Sequence, residues 1–251
     1  MTISAAHDSL WCRRFAPSPG AARRLVCFPH AGGSAVYFRP VATALSPRVE
    51  VIAVQYPGRQ DRRLEPGIDD IGRLADRVVS ALAPWRDTPL DLFGHSMGAL
   101  VAFEVALRLE RDGRPPARLF VSGRTAPTAP ARLPVDPTDA ELIADIRSLN
   151  GTGAEMLADD ELLEMILPAV RNDYRAVTNY RGNPGAVLSC PITALLGDRD
   201  PRATVDETRD WQAHTTAGFD LRLFPGGHFY LTDRAPDVIA LLRHRLATPR
   251  P

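Results

Sequence analysis

Residues 89–100 read PLDLFGHSMGAL, and this stretch decides the fold of the 251-residue chain. Its first half, Leu90 to Phe93, is short and apolar enough to form a buried strand. From Met97 to Leu109, helix-forming and apolar residues recur at helical spacing. Glycines two residues before and after Ser96 remove side chains that would collide where a strand turns directly into a helix. The stretch therefore predicts a nucleophile elbow with Ser96 at its corner, although a bare G-x-S-x-G also occurs by chance in loops.

The overall composition is ordinary for a soluble globular protein. Hydrophobic residues make up 45% and charged residues 24% of the chain, and its length suffices for one α/β domain with an insertion. The formal net charge is zero, so bulk electrostatics gives no reason to expect a nucleic-acid or anionic-membrane partner, and we expect neither. We find no signal peptide and no apolar run long enough to span a bilayer, so we expect a cytoplasmic protein. The three cysteines, Cys12, Cys27 and Cys190, do not form a disulfide framework.

Strand and helix patterns alternate along most of the chain, which predicts a mostly parallel sheet with helices on both faces. The strands expected besides that of the elbow are an edge strand within 10–15, then Leu25–Phe28, Val49–Val54, Arg118–Ser122, Ile192–Leu196 and Phe219–Phe224. The helices expected are about Val36–Leu45, one after a cap at Asp69, Val205–His214, and a last one with Pro236 in its first turn.

Between 125 and 185 the pattern is helical only. Thr138-x-x-Glu141 is a capping box for a helix that reaches about Leu149 and ends at 150–153, and a second helix starts at Asp159 or Asp160 and reaches about Tyr180. We therefore divide the chain into a core of residues 1–124 and 186–251 and an inserted helical lid of residues 125–185. Glycines and prolines at the borders suit a movable lid, and the alternative is a rigid extra layer.

Candidate catalytic partners of Ser96 follow it in the order that elbow enzymes use, an acidic residue and then a histidine, each after a later strand. Asp198 and Asp200 both follow the strand that ends at Leu196, and His228 follows the last strand. Spacing alone does not separate the two aspartates. We favour Asp200 as the residue that orients the imidazole and assign Asp198 to capping the loop.

The other histidines are expected to have different roles. His95 lies inside the elbow and His30 heads a loop of small residues, so both are expected to support the site rather than accept a proton. His214 and His244 fall on predicted helices and are expected at the surface. His228 is therefore the predicted general base.

An oxyanion formed by attack of Ser96 needs hydrogen-bond donors already in place. In elbow enzymes one is the backbone N–H after the nucleophile, here Met97, and the second comes from the loop after an early strand, here Ala31. Gly32 and Gly33 would let that backbone approach the substrate, although a plain turn is the alternative. We find no metal-binding spacing, P-loop or dinucleotide fingerprint, and expect no cofactor and no metal.

Taken together, several stretches resemble the type II thioesterases of polyketide synthases and nonribosomal peptide synthetases. They are residues 27–35 (CFPHAGGSA), 55–59 (QYPGR), 93–99 (FGHSMGA), 121–124 (VSGR), 197–200 (GDRD) and 226–229 (GGHF). The resemblance implies an α/β-hydrolase core with a helical lid and supports Asp200 over Asp198. It also implies a substrate acyl group held as a thioester on the phosphopantetheine arm of an acyl or peptidyl carrier protein.

The function implied is editing, in which stray or stalled acyl groups are hydrolysed from blocked carrier proteins through a Ser96–His228–Asp200 triad and an acyl-enzyme. Three alternatives stay open: a general serine esterase, a thioesterase that releases medium-chain fatty acids, and a non-catalytic scaffold of the same fold. The acyl preference and the partner carrier protein do not follow from the sequence.

Overall fold

The computed structural model describes residues 10–130, 132, 137–149 and 160–248. The strands in these ranges are β1 (Cys12–Arg13), β2 (Arg23–Phe28), β3 (Val49–Val54), β4 (Leu90–His95), β5 (Arg118–Ser122), β6 (Ile192–Gly197) and β7 (Phe219–Phe224). Across the described residues they form one seven-stranded sheet in the order β1-β3-β2-β4-β5-β6-β7. The edge strand β1 pairs antiparallel with β3, and all other pairs are parallel. The predicted mostly parallel sheet is confirmed.

The α-helices of the described residues are α1 (Arg39–Leu45), α2 (Ile71–Ala81), α3 (Met97–Arg111), α4 (Asp139–Ser148), α5 (Asp160–Asn179), α6 (Val205–Arg209), α7 (Tyr230–Asp233) and α8 (Ala235–Ala247). None of them combines enough length with enough hydrophobicity to span a bilayer.

Two buried clusters lie on opposite faces of the sheet. Successive residues of β4 alternate between them: Leu92 packs with α2 and α3, whereas Phe93 packs with α1 and α8. This alternation follows from the two-residue period of a strand, and it explains why the parallel strands are apolar on both sides. Helices therefore cover both faces, as the sequence pattern predicts.

The predicted cap of α2 is wrong by one residue. Asp70, rather than Asp69, has the extended backbone of a cap, with φ −143° and ψ 122°, and its side chain accepts the backbone N–H of Arg73 at 2.7 Å. A cap must reach the third helical residue, and α2 begins at Ile71, so only position 70 meets this geometry.

The helix predicted over 36–45 begins as a 3₁₀ turn, Ala35–Phe38, before α1. Pro40 lacks the N–H that an α-helix would direct at the carbonyl of Val36, and Arg39 donates to that carbonyl instead. The helix predicted over 205–214 likewise continues beyond α6 as a 3₁₀ segment, Asp210–His214.

Two helices, α4 and α5, lie between β5 and β6, and we call them the inserted helices. The capping box of α4 is confirmed: Thr138 accepts the N–H of Glu141, and the Glu141 carboxylate accepts the N–H of Thr138. Pro168 lies inside α5. The predicted end of the first helix at 150–153 lies outside the described residues.

Candidate active site

Ser96 lies at the corner between β4 and α3 in a backbone conformation that serine rarely adopts, with φ 56° and ψ −118°. Its backbone N–H donates to the carbonyl of Ser122 at 2.8 Å. A Cβ at Gly94 would overlap the carbonyl of Gly98, and one at Gly98 would overlap the carbonyl of Phe28. Both glycines are therefore required by close backbone approach, and the tight corner leaves Ser96 on the wall of a cavity.

His228 follows β7 and is hydrogen-bonded to Asp200. Its Nδ1 lies 3.0 and 2.9 Å from the two carboxylate oxygens, and the two side chains are 2% and 0% exposed. Because a carboxylate only accepts hydrogen bonds, Nδ1 carries the proton and Nε2 is left as an acceptor. His228 and Ser96 line the same cavity. The structure thus pairs His228 with Asp200 and places His228 and Ser96, which are far apart in sequence, on the wall of one cavity.

Asp198 lies outside this arrangement. Its side chain is half exposed, and one oxygen accepts the backbone N–H of Gly226 at 2.9 Å. Asp200 points inward instead, where it also accepts the backbone N–H of Arg202 at 2.8 Å. The structure places Asp200 against the imidazole of His228 and Asp198 against the loop that carries it.

The two residues predicted to supply oxyanion donors, Ala31 and Met97, line the same cavity as Ser96. Met97 is the first residue of α3, where the helix dipole favours a developing negative charge. Ala31 belongs to the loop at 30–34, which we call the glycine loop; there the N–H of Gly33 donates to the carbonyl of His30 at 2.9 Å.

Two further histidines near His228 stay neutral. His95 is fully buried, with Nδ1 3.0 Å from Ser122 Oγ, which in turn lies 2.6 Å from the hydroxyl of Tyr230. Burial is the main cause that holds the pKa of His95 well below its usual value, and a positive charge on His228 would lower it further. Burial is also the main cause that lowers the pKa of His30 to about 3. Neither ring therefore competes for a proton at neutral pH.

The prediction that His214 lies at the surface is wrong. It is 2% exposed, its ring packs edge-on against Phe103 and Trp211, and its Nδ1 lies 2.8 Å from the carbonyl of Ala186. A hydrogen-bonded imidazole is tolerated in the core, so the helical pattern alone does not tell which way it faces. His244 is exposed, as predicted.

Sequence reasoning missed Asp173 in the inserted helix α5. Its carboxylate is 1% exposed and forms an ion pair with Arg59 at 2.7 Å. The available signal was a charged residue placed on the apolar stripe of α5, between Val170 and Val177 at helical spacing. Arg59 belongs to one of the stretches that carry the family resemblance, but no role followed from its position.

The cavity has a volume of about 580 Å³, a size typical of small-molecule sites. The inserted helices supply much of its apolar wall, including Ile146, Val170 and Val177. Val36 and Met165 line it while remaining 50% and 57% exposed, which places them at its mouth. Within the described residues, no three His, Cys, Asp or Glu side chains form a group that could hold a metal ion.

Comparison with known proteins gives consistent matches. A family model described as "Thioesterase domain" matches residues 23–246. The chain is 53% identical over 234 residues to "Thioesterase PikA5" of Streptomyces venezuelae, covering 92% of this chain and 83% of that protein. It is 48% identical over 229 residues to the "Probable cadicidin biosynthesis thioesterase" of Streptomyces griseus, covering 91% of this chain and 63% of that protein. The structure of BorB, the type II thioesterase from the borrelidin biosynthetic cluster, superposes with a TM-score of 0.88 at 46% identity, covering 95% and 98% of the two chains.

Proposed function

Because this chain belongs to the thioesterase family, we propose that it hydrolyses acyl thioesters held on the phosphopantetheine arm of acyl or peptidyl carrier proteins. Its role in this proposal is that of a type II, editing thioesterase, which frees carrier proteins of a polyketide or nonribosomal peptide synthase from stray or stalled acyl groups. The similarity to BorB and to PikA5 supports this assignment. We place the reaction in the cytoplasm, where the buried thiols of Cys12, Cys27 and Cys190 would stay reduced.

One observation carries the proposal: Ser96 on its strained corner and His228, bonded to a buried Asp200, face one cavity with an apolar wall. A serine hydroxyl is a poor nucleophile unless a neighbouring base takes its proton, and Nε2 of His228 is the base available there. The apolar wall fits an acyl chain, and the mouth between Val36 and Met165 fits the entry of a flexible arm.

In the proposed mechanism, Ser96 Oγ attacks the thioester carbonyl carbon while His228 Nε2 takes the hydroxyl proton. The N–H groups of Ala31 and Met97 stabilise the oxyanion, and loss of one such donor typically costs on the order of 10²–10³ in kcat. The carbon–sulfur bond then breaks, and the arm leaves as a thiol with the proton from His228. Water adds to the acyl-enzyme, gives a proton to His228, and Ser96 departs with that proton as the acid is released.

We assign the inserted helices, within the insertion at 125–185, the role of a lid over the acyl group. The support is that α4 and α5 both contribute to the cavity wall, together with the elbow and the glycine loop. The core in this proposal comprises residues 1–124 and 186–251.

The test is release of acyl groups from a phosphopantetheinylated carrier protein loaded with acetyl, hexanoyl or dodecanoyl groups, compared with oxygen esters of the same acids. We expect thioester hydrolysis by the wild type and none above background by a folded Ser96→Ala variant. A fluorophosphonate should label the wild type and not this variant.

The alternatives predict other results. Equal rates on matched oxygen esters would indicate a general esterase, and a strong preference for dodecanoyl would indicate fatty-acid chain release. Failure of the wild type to react with both the thioesters and the fluorophosphonate would indicate a non-catalytic scaffold.

A further inference from the structure

The inserted helix α5 directs one buried carboxylate at the core. Asp173 lies on the same side of α5 as Val170 and Val177, which line the cavity, yet its side chain is 1% exposed. A carboxylate is costly to bury unless its charge and its lone pairs are satisfied. The groups that donate hydrogen bonds to Asp173 therefore explain how the carboxylate is stabilised in this buried position.

Asp173 is held by two segments of the core at once. Arg59 donates to both carboxylate oxygens, at 2.7 and 2.8 Å, in a bidentate ion pair. The backbone N–H of Gly32 donates to Oδ2 at 2.8 Å. Arg59 also donates to the carbonyl of Gly33 at 3.1 Å. Asp173 is thus connected to the glycine loop in two ways: directly, by the hydrogen bond from Gly32, and indirectly, through Arg59, which is bonded to both Asp173 and Gly33.

The glycine loop is also shaped to fit beneath α5. Gly32 adopts φ +73°, and a Cβ on it would lie 2.5 Å from Cγ2 of Val170. Since consecutive glycines leave a loop with wide conformational freedom, its position depends on contacts from outside. Such contacts come from α5 above and from Gln55, whose Oε1 accepts the N–H of Ala35 at 2.9 Å.

We propose that Asp173 is a positioning residue that fixes the glycine loop, so that the N–H of Ala31 stays aligned with the oxyanion formed at Ser96. The bond to Gly32 is made one residue beyond Ala31, so removing it frees the backbone that carries the donor. A displacement of α5 would break the same hydrogen bond. The alignment of the Ala31 N–H with the oxyanion therefore depends on the position of α5. This inference rests on the proposed function of Ser96 and Ala31.

The experiment compares Asp173→Ala with the wild type on the hexanoyl N-acetylcysteamine thioester and measures the rate of fluorophosphonate labelling in parallel. We expect kcat to fall about 10–100-fold with KM within about threefold, because a misaligned donor weakens transition-state binding and leaves ground-state binding in place. Labelling should slow by a similar factor, since phosphonylation of Ser96 also develops negative charge on oxygen.

Asp91→Ala is the matched control. Asp91 is likewise a fully buried carboxylate held by an arginine, since Arg23 donates to it at 2.7 Å. It lies near the start of β4, five residues and roughly 16 Å of strand from Ser96. We expect this variant to lose stability comparably and to keep kcat within about twofold in its folded fraction.

The double variant Arg59→Met/Asp173→Leu separates positioning from folding. It removes both charges, which restores stability relative to a lone buried charge, but it does not restore the bond to Gly32. We expect a well-folded and slow enzyme. Wild-type kcat in this variant, or an equal fall in Asp91→Ala, would overturn the inference. An inactive wild type would instead overturn the proposed function.

Discussion

Ser96 has a conformation that no isolated serine would keep. A positive φ is unfavourable for any residue with a Cβ, and it persists here because the surrounding backbone leaves no room to relax. The side chains of Asp200 and His228 are also almost completely buried. Burial strengthens the hydrogen bond between them, and it makes each partner depend on the other. We therefore expect a substitution of either residue to lower kcat strongly.

The roles of the two aspartates can be separated by the substitutions Asp200→Asn and Asp198→Asn. An amide at 200 can donate as well as accept, so it permits the wrong tautomer of His228, and we expect kcat to fall by about 10⁴-fold. An amide oxygen at 198 still accepts the N–H of Gly226, and we expect kcat within about threefold of wild type. The measurement is kcat of each variant on the hexanoyl thioester, with circular dichroism as a check on folding. It shows which aspartate orients the imidazole of His228. Near-normal turnover of a folded Asp200→Asn would move the proposed role to Asp198.

At the scale of single elements, helix ends are set by local chemistry. The capping box at Thr138 and Glu141 is repeated at Thr204 and Glu207, which opens α6 in the same way. The carboxylate of each pair accepts backbone N–H groups at the positive end of the helix. Hydrogen bonding to Thr138 therefore lowers the pKa of Glu141, and hydrogen bonding to Thr204 is the first cause that lowers the pKa of Glu207.

The start of α2 offers a direct test of capping. Because Asp70 accepts the N–H of Arg73, we expect Asp70→Ala to lower the free energy of unfolding by about 0.5–2 kcal/mol. The neighbouring Asp69→Ala should change it by less than about 0.5 kcal/mol. Urea denaturation of both variants, followed by circular dichroism, gives the two values. A larger loss in Asp69→Ala would show that the helix begins one residue earlier in solution.

At the scale of the whole molecule, the cavity exists because distant segments meet at one edge of the sheet. The glycine loop follows β2, the elbow follows β4, and Asp200 and His228 follow β6 and β7. All four strands are parallel, so their carboxyl ends lie together. The inserted helices contribute further residues to the cavity wall. The size of the acyl group that fits is consequently a property of the interface between core and insertion.

A substitution in that interface should change the preference for acyl length. Ala169 of α5 lines the cavity and is 5% exposed, so a phenylalanine there would project into the space for the acyl chain. We expect Ala169→Phe to lower kcat/KM for the dodecanoyl thioester relative to the acetyl thioester by about 10–200-fold. Ala169→Ser, which adds little volume, should leave the ratio nearly unchanged. An unaltered ratio in the phenylalanine variant would mean that long acyl chains occupy another part of the molecule.

The sequence by itself determined the sheet, the elbow and the strand ends that carry Ser96, Asp200 and His228. These features depend on local periodicity, on glycines at fixed offsets and on chain order, all of which can be seen without coordinates. Val49–Val54 and Phe219–Phe224 have the same bounds in the sequence prediction and in the structure. The cap at Asp70 differed by one residue, since two adjacent aspartates carry the same local signal.

Only the tertiary structure decided which way buried polar groups face and what they bind. His214 is in the core because Phe103 and Trp211 lie opposite it, and Asp173 is buried because Arg59, 114 positions away, is there to neutralise it. Such pairings link segments without any shared local pattern. Their free energy comes from desolvated charge and packing across the fold, which exist only once the chain has brought those segments together.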